Sequence, residues 1–153
     1  MTVLGLISDT HGLLRPEAAA ALAGVDAILH AGDVGAPDVL AALRGIAPVF
    51  AVRGNVDGCE LASLPLDTIA SLDGVDIYVV HILRDIAIDP AAAGMSVVVH
   101  GHTHKPLIEE KEGVLYVNPG SAGPRRFALP VSVGFLRLAR GQKPEARLKM
   151  LDV

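Results

Sequence analysis

The sequence predicts an α/β fold in which two sheets pack together with helices outside. Three observations carry that reading. Short apolar runs alternate with Ala-rich segments in the first half, hairpin-like runs crowd the second half, and the apolar content is aliphatic. Of 153 residues, 51% are hydrophobic and 3% aromatic, with no Trp, and the mean hydropathy is +0.46. Such a composition suits closely packed strands and Ala-rich helices in one domain, residues 1–153. An apolar patch left over would serve a homo-oligomer.

Val3–Ser8 is a short apolar run, read as a buried strand. Pro16 opens a helix, PEAAAALAG, with proline in its first turn and Gly24 closing it. Asp26–His30 is the next strand, Pro37–Leu43 the next helix and Pro48–Val52 a third strand. That order is βαβαβ, the signature of parallel strands with crossover helices. In TIASLDGVDIYVV, Asp73-Gly74 stands between two β-like runs and signals a tight hairpin. A short helical piece is expected near Arg84–Ala93, followed by strand Ser96–His100. Leu107–Glu110, Val114–Val117, Val131–Ala139 and Ala146–Leu151 then read as mostly antiparallel strands.

Several function classes are disfavoured at once. The formal net charge is −4 with no block of five or more like charges, so no broad basic surface for duplex nucleic acid is expected. Cys59 is alone, which leaves no intramolecular disulfide and no Cys-based zinc site. MTVLGLISD lacks a basic start and meets Asp9 too early for a secretory apolar core. No apolar stretch approaches the roughly 18 residues of a membrane span. These features point to a cytoplasmic protein with no membrane partner.

The polar residues then fall into a pattern. The first strand ends in SDTH, giving Asp9 and His11; the second in HAGD, giving Asp33; the third in RGNVD, giving Asn55. IYVV is followed directly by His81, and VVVH by GHTH, giving His102 and His104. Ligands of open α/β sheets bind outside the carboxyl ends of strands. Glycine immediately precedes Asp33, Asn55 and His102, and permits a sharp departure from the strand. Two carboxylates, one amide and four imidazoles on one rim would cost several kcal/mol for each charged group if buried without partners.

Metal is the natural partner. Asp, His and Asn donors without thiolate suit Mn, Fe, Zn, Co or Ni better than Mg or Ca. Seven donors exceed one tetrahedral zinc, but fit two five- or six-coordinate ions sharing a bridging carboxylate and completed by water. Other polar residues keep two readings. His30 and His100 each end a strand before a glycine and then a ligand, so each either orients that ligand or is a hydrogen-bonded core histidine. Asn118, in NPGS, is a turn residue or a support for the rim. Arg125 is a solvated loop residue or a bidentate phosphate contact. Asp57 reads as a turn cap and Cys59 as a small buried filler.

With these residues in view, the chain resembles the calcineurin-like metallophosphoesterases, in particular their short bacterial and archaeal phosphodiesterase branch. The matching elements are D-x-H at Asp9–His11, Gly32-Asp33, Gly54-Asn55, His81 after a strand, and G-H-T-H at Gly101–His104. Each is weak alone; five in order, each on a strand end, are strong. The resemblance implies a four-layer αββα sandwich with a binuclear centre holding two divalent ions, Mn foremost, with Fe, Ni, Co or Zn as alternatives. It implies that Asp9, His11 and His104 hold one ion, that Asn55, His81 and His102 hold the other, and that Asp33 bridges them. Two divalent ions outweigh two aspartates and a bridging hydroxide, so such a site attracts a phosphate ester and stabilises charge as the hydroxide attacks in line. The expected partner is therefore a small phosphate ester.

Two positions depart from the family pattern. Many relatives carry His after Gly-Asn, where this chain has Val56, and valine can neither protonate a leaving group nor bind phosphate. Relatives often carry Gly after the histidine matched by His81, where this chain has Ile82-Leu83-Arg84, which implies a looser second site or a reshaped pocket wall. The rival from another class is a non-catalytic scaffold or protein-interaction module on the same fold, like the phosphoesterase-like subunit of the retromer coat. Such relatives have lost donors that this chain keeps.

Overall fold

A computed structural model describes residues 1–153. Its elements are β1 (Thr2–Ile7), α1 (Pro16–Ala21), β2 (Ala27–His30), α2 (Pro37–Arg44), β3 (Val49–Ala51), β4 (Asp67–Leu72), β5 (Val75–Val80), β6 (Val97–Val99), β7 (Leu107–Lys111), β8 (Val114–Asn118), β9 (Ser132–Leu138) and β10 (Glu145–Met150). They form two five-stranded sheets, ordered β10-β9-β1-β2-β3 and β4-β5-β6-β8-β7. In the first, β1, β2 and β3 are parallel, β9 lies antiparallel beside β1, and β10 lies antiparallel beside β9 at the edge. In the second, β5, β6 and β8 are parallel while β4 and β7 run antiparallel at the edges.

The sandwich follows from the period-2 alternation of side chains along each strand. Leu4, Leu6, Leu29, Leu136 and Leu138 face Val75, Ile77, Val79, Val97 and Val99 in one buried cluster that joins the two sheets. The residues between them point outward. Ile7, Ile28, Val133 and Phe135 meet Ala18, Leu22, Leu40 and Leu43 beneath α1 and α2. Helix α1 approaches closely because β1 carries Gly5; a Cβ there would stand 2.6 Å from Leu22 Cδ2. Gly24, at φ +85°, ends the expected helical stretch in a turn after Ala21. The hairpin at Asp73-Gly74 forms with both residues at positive φ, as a tight two-residue turn demands.

One expected element is corrected. Arg84–Ala93 is not a helix; only Leu83–Asp85 makes a single 3-10 turn, and turns at 90–94 complete the connection. Pro90 would clash inside a helix, and Leu83, Ile86 and Ile88 instead pack on Tyr78, Val80, Met95 and Val98, covering the second sheet's outer face. The fourth layer of the αββα sandwich is thus a thin strap. Cys59 is also corrected: it is exposed at the start of a 3-10 turn, Cys59–Ser63, not buried. No helix is long and apolar enough to cross a membrane.

Candidate metal centre

The carboxyl ends of β1, β2, β3, β5 and β6 deliver all seven candidate donors to one rim. Chain direction explains the convergence, since parallel strands end on the same side. The turns beyond the strands are sharp. Asp9, His11, Asp33, His102 and His104 all hold positive φ, between 46° and 74°. Non-glycine residues adopt that region at a cost of about 1–3 kcal/mol each, and such strain clusters at functional sites. Glycine serves a different purpose beside them than the sequence suggests. Only Gly32, at φ +100°, departs in a glycine-favoured conformation. Gly54 and Gly101 are needed for closeness: a Cβ on Gly54 would collide with Asp33, and one on Gly101 with Ser8 Oγ.

Two clusters result, Asp9 with His11 and His104, and Asp33 with His81 and His102. Each aspartate splits its two oxygens between tasks. Asp9 Oδ2 accepts the Ser8 hydroxyl at 2.7 Å and the His102 N–H at 3.0 Å. Its Oδ1 lies 3.3 Å from His104 Nε2 and 3.8 Å from His11 Nε2. Asp33 Oδ1 accepts the Val56 N–H at 3.0 Å, while Oδ2 lies 3.1 Å from His81 Nε2 and 3.7 Å from His11 Nε2. That oxygen therefore sits between a histidine of one cluster and a histidine of the other. Asn55 Oδ1 completes the second cluster, 3.0 Å from His81 Nε2 and 3.2 Å from His102 Nδ1. His81 points its other nitrogen, Nδ1, at the Ala31 carbonyl 2.7 Å away, which fixes the ring and turns Nε2 toward the rim.

These residues fit cations. Asp9 Oδ1 and His11 Nε2 are buried and have no hydrogen-bond partner in the chain, an arrangement that costs about 1–3 kcal/mol per group unless a ligand satisfies it. Burial pushes both carboxyls up, yet both stay below their ordinary value: Asp9 through His104, the charge of His81 and the Ser8 hydroxyl, Asp33 through His81, the Val56 N–H and His11. His81 is pulled down by burial but raised overall by Asp33 and Asp9. The carboxylates are thus held anionic, the state a divalent ion requires, whereas the proton that Asp33 and Asp9 favour on His81 would have to leave as an ion bound.

The supporting residues divide along the lines left open by the sequence. His30 accepts the Gly32 N–H on Nδ1 at 3.1 Å, so Nε2 carries the proton and donates to Thr10 Oγ1 at 3.0 Å; Thr10 in turn donates to the Val34 carbonyl. It ties the turn after β1 to the turn after β2. Asn118 donates to the Gly101 carbonyl and to Thr103 Oγ1 and accepts the Gly120 N–H, so it braces the loop carrying His102 and His104. His100 is 4% exposed, and neither of its ring nitrogens finds a partner. Arg125 is an exposed loop residue that donates to the backbone oxygens of Leu129 and Val153, which turns it toward the carboxyl terminus.

Asp57 does far more than cap its own turn. Oδ2 accepts the N–H groups of Val34 at 3.1 Å and Gly54 at 2.9 Å, and Oδ1 accepts that of Gly35 at 2.9 Å. One buried carboxylate thereby locks the Asp33 turn to the Asn55 turn. The only signal in the sequence is an acid two residues beyond Asn55, which is common in turns of every kind. Ser8 and Ser121, whose hydroxyls meet Asp9 Oδ2 and the Asp9 carbonyl, carry no distinguishing signal in the sequence either.

Burial also makes a pH prediction. It holds His30 and His100 down at about 4, against an ordinary 6.5. The unfolded chain takes up these protons near 6.5 and the folded chain near 4, so stability falls as pH drops through that interval. The loss is roughly 3 kcal/mol per histidine at most. Asp9 and Asp33, both lowered, lose their contribution only below 3.8. His81, raised, contributes fully below 6.5 and loses that contribution as pH rises through its folded value. Thermal unfolding in chelator should show a falling midpoint from pH 6.5 to 4, and a flatter slope in His100→Gln; an unchanged slope would remove His100 from the account.

Comparison with known proteins supports the same reading. A probable metallophosphoesterase of Methanothermobacter thermautotrophicus is 35% identical over 161 aligned positions, covering 95% of this chain and 91% of that protein. A phosphodiesterase of Methanocaldococcus jannaschii is 28% identical, covering 76% of this chain and 82% of that one. Among solved structures, vacuolar protein sorting 29 from Cryptosporidium parvum superposes with a TM-score of 0.77 at 22% identity, covering 97% of this chain and 96% of that one, a likeness of fold. The family model for the calcineurin-like phosphoesterase superfamily domain matches residues 1–141, and with the sandwich and its rim of donors in place, the chain belongs to the calcineurin-like phosphoesterase superfamily.

Proposed function

We propose that the protein is a phosphodiesterase with a binuclear metal centre, in which Asp9, His11 and His104 hold one ion, Asn55, His81 and His102 the other, and Asp33 lies between them. Manganese is the ion expected, with Fe, Ni, Co or Zn fitting the same donors. The observation that carries this reading is the position of Asp33 Oδ2, within 3.7 Å of His11 and 3.1 Å of His81. The phosphodiesterase of M. jannaschii supports the choice of diester.

When bound, such ions supply positive charge for a phosphate and make water nucleophilic near neutral pH. The chain supplies the geometry. Ser8 and the His102 N–H hold Asp9 Oδ2 so that only Oδ1 is free to ligate. The Val56 N–H does the same for Asp33, orienting the oxygen between the clusters. Ala31 keeps the His81 proton on Nδ1, leaving the lone pair of Nε2 for the centre. Val56 itself is 54% exposed and carries no proton for a leaving group. Esters whose leaving group departs as a stable anion are thus favoured. Aryl phosphodiesters should turn over at least ~100-fold faster than alkyl ones, since a missing general acid costs about 10²–10⁴; comparable rates with chemistry limiting would contradict this.

The alternative is a non-catalytic interaction module on the fold that the chain shares with vacuolar protein sorting 29. All seven donors remain in place, which weighs against it. Metal analysis of purified protein, paired with hydrolysis of bis(p-nitrophenyl) phosphate across Mn, Fe, Co, Ni and Zn, decides between them. Two ions and turnover support the enzyme; metal-replete protein that binds none supports the module.

A further inference from the structure

Two cavities open from the second cluster of donors, on either side of Ile82. One, of 200 Å³, is lined by Asn55 and His81 together with Arg53, Leu66, Asp67 and Ile82. The other, of 380 Å³, is lined by His102 and His100 together with Arg84, Lys105, Leu83, Leu107 and, again, Ile82. Ile82 is therefore a partition, and it stands where the family pattern has glycine. The cavities differ in size and charge. Small-molecule sites generally occupy about 300–1,000 Å³, so the larger one takes a sizeable group and the smaller one a compact group. Arg53, Asp67 and Asp85 give the smaller cavity no cationic excess, whereas Arg84 and Lys105 outnumber Glu109 in the larger. His100 forms part of the larger cavity's wall, 4% exposed, with both ring nitrogens buried and unpartnered.

We infer that the two cavities receive the two ester arms of one phosphodiester, and that the arm lying along His102, Arg84 and Lys105 carries a further anionic group. A monoester has one arm and leaves one cavity idle. The inference rests on the phosphodiesterase reading and deepens it. A nucleotide diester with a second phosphate has this chemistry. Its compact arm fills the cavity at Arg53, while the nucleoside lies between Leu83 and Leu107 with its second phosphate near Lys105 and Arg84.

Thymidine 3′-phosphate 5′-(p-nitrophenyl phosphate) tests this against thymidine 5′-(p-nitrophenyl phosphate), which lacks the second phosphate. In both, the oxygen of water forms the new P–O bond, its proton passes to solvent, and nitrophenolate leaves with the electrons of the P–O bond that breaks. The second phosphate should lower KM about tenfold with kcat little changed, and Arg84→Ala or Lys105→Ala should erase that ratio. Both residues are exposed, so the variants should fold. Calorimetry on chelator-treated protein supplies a readout free of catalysis. Thymidine 3′,5′-bisphosphate should bind about tenfold more tightly than thymidine 5′-monophosphate, and the two variants should lose the difference. Equal KM values and equal affinities would overturn the inference while leaving hydrolysis of bis(p-nitrophenyl) phosphate, and hence the broader reading, intact. Failure of all hydrolysis would defeat the broader reading, with calorimetry still deciding the preference of the cavity.

Discussion

Asp33→Asn should lower hydrolysis of an aryl phosphodiester by about a thousandfold, equivalent to roughly 4 kcal/mol of transition-state stabilisation. The reason is local. The substituted side chain would still accept the Val56 N–H through its carbonyl, so the turn keeps its shape. Its amide, however, would sit where Oδ2 now faces His81 at 3.1 Å and His11 at 3.7 Å. An amide nitrogen carries no lone pair for a cation and no charge to share between two. Metal content should drop from two ions per chain to one or fewer. The metal-free variant loses no packing but gives up the contribution of a carboxyl held below its ordinary value by His81 and the Val56 N–H, so at neutral pH it should unfold a few degrees below the parent. A variant that kept two ions and parental turnover would show that Asp33 does not lie between them.

Asp57→Ala should produce the largest loss of stability away from the apolar core, about 3–5 kcal/mol. Three backbone N–H groups, of Val34, Gly35 and Gly54, would lose their acceptor at once, in a place where Asp57 is only 7% exposed. Because those groups belong to the turns that carry Asp33 and Asn55, metal affinity should fall too, by about 10–100-fold. Asp57→Asn separates shape from charge. Its carbonyl can keep the two bonds now made by Oδ2, to Val34 and Gly54, but its amide would face the Gly35 N–H, donor against donor. It should therefore fall between the parent and alanine in urea unfolding. If alanine were as stable as the parent, Asp57 would be an ordinary turn residue, as its sequence context suggests.

The contrast between Asp33 and Asp57 shows what the sequence could disclose. Asp33, like the other six candidate donors, lies just beyond an apolar run, and strands that end on a common side bring such residues together whatever lies between them. The convergence was legible because it depends only on chain direction and strand length. Asp57 accepts from Gly54, three residues back, but also from Val34 and Gly35, 23 and 22 residues away, and a carboxylate that accepts from distant amides looks, in sequence, like any other turn acid. Arg125 kept two readings for a similar reason: a loop arginine suits phosphate or solvent alike, and only the fold places the Leu129 and Val153 backbone oxygens within its reach.

The same logic applies to the architecture. The βαβαβ half was readable because both of its helices carry proline at the start and mark off the strands between them. The return of β9 and β10 to the first sheet was not, since the residues of an antiparallel strand carry no label for its neighbour. The strap from Leu83 to Met95 misled because its apolar residues are frequent enough for a helix; Pro90 and the turns around it prevent one. Ile82, read as a departure that would loosen the second site or reshape the pocket wall, lines two cavities.

Anomalous diffraction from crystals grown with manganese tests the centre most directly. Two peaks are expected, one among Asp9, His11 and His104, the other among Asn55, His81 and His102, with the Asp33 carboxylate touching both. A metal-replete crystal in which those side chains diverge around empty density would contradict the binuclear centre and leave only the sandwich standing.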